Sequence, residues 1–309
     1  MAGGLAVWWR AVRPFSLTAS VAPILVGSAA ALQGGGAPFP ANLATFHLDR
    51  FLAALIGAVA IHAGTNLIND YYDHIRGVDT PGSIGPSGMI QQGRLPARAV
   101  FGGGLALFAI GGALGLWLAA VAGWPILVVG VASVAAGYAY TGGPLPFGYI
   151  GLGDLIVFLF MGPVIVLGAH YVQTGTLSGG AAWASLPVAA LVTAILVVNN
   201  LRDLYTDRAR GKSTLATRLG PRGTRVEYVA LVAGAFLTII AGVALGRLPP
   251  LALIALLTLP RARTVWGVVR DESDPLALTR AGLRGTANLH LRVGIVLAWA
   301  FLFPLPQTP

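Results

Sequence analysis

The sequence contains no cysteine. That absence removes disulfides, thiolate metal sites and cysteine nucleophiles together. Charge is scarce as well: 10% of the 309 residues are charged, 11 are acidic, and Lys212 is the sole lysine among 20 basic residues. So little charge beside 56% hydrophobic residues excludes an ordinary soluble domain of this size. With a mean hydropathy of +0.76, the chain reads as all-α, a polytopic membrane helical bundle forming a single domain over residues 1–309.

A membrane-spanning helix needs ~20 mostly apolar residues. About nine such runs are present, near 16–33, 51–70, 98–118, 124–141, 152–171, 181–201, 226–246, 249–268 and 290–306. The opening MAGGLAVWWRAVRPF lacks a basic region followed by an apolar core and a small-residue cleavage site, so a cleaved signal peptide is not expected. Trp8 and Trp9 beside Arg10 and Arg13 read instead as an interfacial anchor.

The net charge of +9 would suggest nucleic acid in a soluble protein. Its distribution argues otherwise. With the N-terminus inside, the basic residues gather on the inner segments, and of the 20 only Arg50 and Arg247 fall outside. The positive-inside rule therefore predicts a multi-pass protein of the cell (inner) membrane with its N-terminus in the cytoplasm. The expected macromolecular setting is the lipid bilayer, not nucleic acid. The long polar connections, 71–97 and 202–225, lie on that inner side, where function is expected.

Each of these connections follows a span ending in Asn and Asp. His62, Asn66, Asn69, Asp70 and Asp73 are spaced by three and four, one polar stripe on an apolar helix. Asn199, Asp203 and Asp207 repeat the pattern four spans later, flanked by Asn200 and Arg202, which hints at a duplicated bundle. Ionisable groups at membrane depth are costly and mark cavities or partners. Salt bridges from Asp70, Asp73, Asp203 and Asp207 to Arg76, Arg202, Arg208 and Arg210 are the plain alternative. Oxygen ligands without cysteine favour Mg²⁺ over zinc, and Mg²⁺ shares its coordination with phosphate oxygens. A diphosphate bridged by Mg²⁺ to two acidic helix ends is the simplest ligand.

The stretch GKST at 211–214 is not a phosphate loop, since Thr206 stands where that motif needs glycine. Lys212 still suits a phosphate as a compact charge, the alternative being a solvated loop lysine.

The clusters NDYYD and NNLRDLYTD, followed by GVDT and GKSTLATRLG, resemble those of the UbiA superfamily of intramembrane aromatic prenyltransferases. The resemblance extends through RPFSLTASVAPILVG, GPSGMIQQGRL and YAYTGGPLPFGYIGLGDLIVFLFMGPV, and is strongest to the branch acting on 1,4-dihydroxy-2-naphthoate in menaquinone synthesis. It implies that Asn69, Asp73, Asp203 and Asp207 hold Mg²⁺ against a polyprenyl diphosphate, with Asp70 and Asp79 in support. Arg76, Arg202 and Lys212 are then expected near phosphate oxygens. Two positions depart from the superfamily pattern: Gly77 replaces an acid that reappears as Asp79, and Gly88 replaces a basic residue after the Gly-Pro-Ser turn.

The implied chemistry is loss of diphosphate from an allylic chain and attack on the carbocation by an electron-rich aromatic ring. Tyr138 and Tyr140 are candidates to shield the cation with their ring faces, or else interfacial belt tyrosines. Asp154, a lone intramembrane acid, is a candidate to accept a hydrogen bond from the aromatic acceptor's hydroxyl, or else a partner for an inner arginine. Asn66 and His62 are expected at the substrate-binding site, His62 as a hydrogen-bonding residue behind the direct contacts and not a base. Two other readings remain open: another acceptor, such as 4-hydroxybenzoate, homogentisate, a chlorophyllide or a lipid headgroup, and a membrane transporter.

Overall fold

A computed structural model describes residues 4–33, 39–79 and 88–303. Every regular element among them is helical. A short amphipathic helix, α1 (Gly4–Ala11), precedes α2 (Pro14–Gln33), α3 (Leu48–Ile75), α4 (Ala97–Ala122) and α5 (Trp124–Ala139). The second half comprises α6 (Gly153–Thr174), α7 (Gly179–Ala209), α8 (Leu215–Ala244), α9 (Pro250–Asp271) and α10 (Arg284–Ala300).

Each expected apolar run coincides with one of these helices. Seven are long and apolar enough to cross a membrane, while α5 and α10, with 16 and 17 residues, are shorter. The Gly-Pro-Ser turn at 85–87 and the last residues of the ninth run lie outside the described residues. Pro163 has no amide to donate, and α6 widens there into a π turn over Phe160–Val164.

The main departure from the expected boundaries concerns the acids. α3 and α7 continue past their apolar runs, to Ile75 and Ala209, because a helix satisfies its own backbone wherever it leaves the hydrocarbon. Asp73, Asp203 and Asp207 therefore stand on helical turns, not in loops. Both helices also stop in the same way. Gly77 (φ +68°) and Gly211 (φ +73°) take the left-handed conformation four residues after Asp73 and Asp207. The next amides, Val78 N–H and Lys212 N–H, donate back to the Asp73 and Asp207 carbonyls at 2.8 and 2.9 Å. This is a Schellman ending, which favours glycine. It supplies a physical reason for glycine at position 77.

The chain then turns back in each half, so that α3 packs along α4 and α7 along α8. α7 is the central helix, with 78% of its apolar window buried, against α2, α6, α8 and α10. Lipid supplies no hydrophobic drive between helices, so close backbone approach through small residues matters. Gly57 and Gly64 of α3 face Gly111 and Gly104 of α4. A Cβ added to Gly64 would meet the Gly104 carbonyl oxygen at 3.0 Å and the Phe108 ring at 2.8 Å. One added to Gly102, on α4, would meet nothing within 4 Å. Gly64→Leu should therefore cost about 1–3 kcal/mol through overpacking and lower the unfolding midpoint in detergent, while Gly102→Leu should leave it unchanged or raise it. Equal effects of the two would contradict the close α3–α4 contact.

Candidate active site

The acidic ends of α3 and α7 meet through the segment between α5 and α6. Tyr149 is the connection. Its hydroxyl donates to the Asp73 carboxylate, and its carbonyl accepts from Ser213 N–H at 2.9 Å. The Lys212 ammonium and the Arg76 guanidinium each lie 4.9 Å from the Tyr149 ring centre. Arg218 ties the same loops together, donating to Ser213 Oγ at 3.0 Å and to the Ile150 carbonyl at 2.8 Å. Burial and the Asp73 charge hold the Tyr149 phenol above its ordinary pKa, so it remains a neutral donor.

Charges here are partly paired. Arg13 binds Asp70, Arg202 grips the adjacent Asp203, and Lys212 Nζ stands 3.8 Å from Asp207. The plain salt-bridge alternative is thus realised for three acids, though with different partners from those expected except for Arg202. Asp73 and Asp79 have no ion-pair partner among the described residues. Burial, then repulsion from Asp73, raises the Asp79 carboxyl to about 6. Burial lowers the Lys212 pKa, but the carboxylates of Asp73, Asp207, Asp203 and Asp79 outweigh it and hold the ammonium above its ordinary value. The cluster therefore keeps Lys212 charged and leaves negative charge to be met by a cation.

From this end a cavity of about 340 Å³ extends into the bundle. Arg13, Asn66, Asn69, Asn199, Tyr140 and Lys212 line its ionic end; Ala53, Leu118, Ile126 and Val172 line the opposite, apolar part. The span from Asn69 to Ala53 along α3 is about 24 Å at the helical rise. At the far side Gln173 and His47 exchange hydrogen bonds of 2.9 and 3.0 Å, and Arg50 donates to the Val172 carbonyl at 2.9 Å.

Several expected site residues gather here: Asn69, Asp73, Asp79, Asp203, Asp207, Lys212 and Tyr140. Three do something else. Tyr138 does not line the cavity: two residues before Tyr140, it points about 200° around the helix, where its hydroxyl meets Tyr72 Oη at 2.5 Å. Arg76 donates to the carbonyls of Thr141 and Gly143 at 2.5 and 3.0 Å, bracing a turn instead of reaching into the cavity. Asp154 is buried but absent from the cavity wall. Tyr140 lies over that first turn of α6, its hydroxyl 3.1 Å from where a Cβ on Gly153 would stand, so the phenol meets the cavity instead. Asn66 lines the cavity while its amide donates to Val12 O and Ser16 Oγ, both at 3.1 Å. Arg13 and Tyr149 are the residues missed: the first reads in sequence as a membrane anchor and the second as one aromatic in a Gly-Pro-rich loop.

The residues suit a hard divalent cation. Asn69 Oδ1 is buried with no hydrogen-bond partner among the described residues, and it lines the cavity one turn from Asp73. Every candidate donor is oxygen, as Mg²⁺ requires. No three His, Cys, Asp or Glu side chains among the described residues form a metal cage by themselves. A cation held here would be shared with ligand oxygens.

The model of the UbiA prenyltransferase family matches residues 20–291. The 1,4-dihydroxy-2-naphthoate octaprenyltransferase of Bacillus subtilis is 33% identical over 96% of this chain and 92% of its own length. The Mycobacterium tuberculosis protein of the same name is 36% identical over 90% and 85%. Among solved structures, a UbiA homolog from Aeropyrum pernix aligns with a TM-score of 0.67 at 19% identity, covering 92% of this chain and 96% of that one. A UbiA homolog from Archaeoglobus fulgidus bound to GPP and Mg²⁺ aligns with a TM-score of 0.61 at 17% identity, covering 95% and 99%. With a family match across most of its length, two paired acidic helix ends and a cavity running from them into the bundle, this chain belongs to the UbiA prenyltransferase family.

Proposed function

We propose that this prenyltransferase moves a polyprenyl group from its diphosphate to 1,4-dihydroxy-2-naphthoate, in menaquinone biosynthesis. The acceptor rests on the names of the relatives that align over most of the chain. The observation that carries the reaction is the shape of the cavity: an ionic end around Asn69 and Lys212 continuous with an apolar end around Ala53 and Ile126. An amphiphile with an anionic head and a hydrocarbon tail fits that order.

In this reading the head lies between the ends of α3 and α7. Asn69, Asp73, Asp203 and Asp207 would hold Mg²⁺, the ion present with GPP in the archaeal homolog. A bound Mg²⁺ supplies positive charge against a diphosphate that five neighbouring carboxylates would otherwise repel. Lys212 is loosely engaged by Asp207 and moves a short way to meet the departing oxygens, where charge grows in the transition state. Arg202 neutralises Asp203, while Arg13 clamps Asp70 and fixes the N-terminal segment over the cavity. Tyr149 orients Asp73. Tyr140 presents its ring where an allylic cation forms, and the turns that end α3 and α7, 76–79 and 210–214, border the site on the cytoplasmic side. The aromatic ring then attacks the allylic carbon whose bond to oxygen breaks with the electron pair leaving on diphosphate, and the ring regains aromaticity by losing the group at the attacked carbon, a proton or, from a carboxylate-bearing carbon, CO2.

Chelation of divalent cations should abolish turnover and Mg²⁺ restore it. Asp73→Asn and Asp207→Asn should each lower the rate by orders of magnitude, with partial recovery at higher Mg²⁺; normal turnover by both would reduce these acids to structural salt-bridge partners. Lys212→Met should slow turnover roughly 30- to 1000-fold, the loss of ~2–4 kcal/mol of transition-state stabilisation, while Lys212→Arg keeps appreciable activity. Wild-type kcat and KM in the methionine variant would remove Lys212 from the reaction.

The orientation is testable because the chain has no cysteine of its own. Gln92 and Thr176 are both exposed, on opposite ends of the bundle. A maleimide that cannot cross the membrane should label Thr176→Cys on intact cells and Gln92→Cys only after lysis. The reverse pattern would invert the topology.

A further inference from the structure

The wall of the cavity is not uniformly apolar between its two ends. On α3, one turn beyond Asn66, His62 projects into it, and its Nδ1 lies 2.9 Å from Ser20 Oγ of α2. That contact fixes the imidazole across the α2–α3 interface. The other ring nitrogen, Nε2, has no protein partner among the described residues, and it is not one of the buried orphan atoms, so it opens onto the cavity. The hydroxyl of Thr65, three residues on, is already satisfied, donating to the Ile61 carbonyl at 2.9 Å.

An imidazole nitrogen left unpaired in a membrane-depth cavity is costly unless a ligand supplies the partner. His62 lies seven residues from Asn69, about 10 Å along the helix. An aromatic ring held at ~3–3.5 Å from the allylic carbon, with its hydroxyl directed away from the diphosphate, fills that interval. A polyprenyl tail offers nothing to a nitrogen; a phenolic hydroxyl does, and it answers either tautomer because it both donates and accepts.

We infer that the Ser20–His62 pair is the docking point for a ring hydroxyl of the aromatic acceptor, with Nε2 hydrogen-bonded to that hydroxyl and Ser20 acting as the positioning residue for the imidazole. This deepens the prenyl-transfer reading and rests on it. It also gives the hydroxyl contact expected of Asp154 to a residue that reaches the cavity.

The test separates acceptor recognition from general damage. His62→Phe keeps the volume and removes the hydrogen bond; its KM for the acceptor should rise roughly 10- to 100-fold, as expected for one lost buried hydrogen bond, while the KM for prenyl diphosphate stays within about 2-fold. His62→Gln, which keeps a polar atom near Nε2, should recover part of the loss, and Ser20→Ala should raise the acceptor KM by a smaller factor. Inhibition constants for the acceptor and its analogue lacking one hydroxyl complete a cycle: the wild-type enzyme should discriminate between them, and His62→Phe should not. An unchanged acceptor KM, a parallel rise in both KM values, or undiminished discrimination in His62→Phe would overturn the inference. The cycle is run with whichever phenolic acceptor the wild-type enzyme turns over, so failure to use the naphthoate counts against that acceptor alone.

Discussion

A carboxylate near hydrocarbon has to be met by a cation, a donor or water, and this one constraint organises the acidic side of the bundle. Asp70, Asp203 and Asp207 are each met by a basic side chain, and Asp73 by a tyrosine hydroxyl. Each partner comes with a segment attached. Arg13 brings the N-terminal helix over α3, Lys212 brings the α7–α8 turn, and Tyr149 brings the loop before α6. The cap over the cavity is thus assembled by electrostatic demand at the helix ends, and the same demand leaves Asp73 and Asp79 to be balanced by whatever binds.

The repetition of that arrangement supports an origin in two similar halves. In both, a long helix carries its acids past the apolar run, ends at a left-handed glycine four residues after an aspartate, and returns as a helix packed alongside. The halves differ where the chemistry needs them to. The second turn carries Lys212 and continues into α8 through a Thr214 N-cap that accepts from Thr217 N–H at 3.1 Å. The first runs on into the long connection toward α4. One half thereby contributes the Lys212 ammonium, the other an Asn69 oxygen with no partner among the described residues.

Much of this was legible in the sequence because it is local. Apolar runs of membrane length, the three-and-four spacing of Asn and Asp, and the rarity of lysine all report on one helix or one turn at a time. The resemblance of the quoted motifs to a known family extended that reading to the whole chain. What stayed hidden depends on which face of a helix meets which neighbour. Tyr138 and Tyr140 are equivalent by composition, yet a 200° difference in direction puts only the second on the cavity. Arg76 meets the carbonyls of Thr141 and Gly143 and Arg13 meets Asp70, because a guanidinium takes the carbonyls or carboxylate that tertiary structure brings to it. Asp154 reads as a lone acid in an apolar span and gains its setting only from the tyrosine that covers it.

The central claim is that the ends of α3 and α7 act as one site for a metal-bridged diphosphate. Its most direct test is the affinity for Mn²⁺, followed by electron paramagnetic resonance in the presence of a non-reacting thiolo analogue of prenyl diphosphate, for the wild-type protein, Asp73→Asn, Asp207→Asn and the double variant. A shared site predicts that either single replacement removes most of the affinity and that the double variant is little worse than either. Losses that simply add, or wild-type affinity in both single variants, would contradict it.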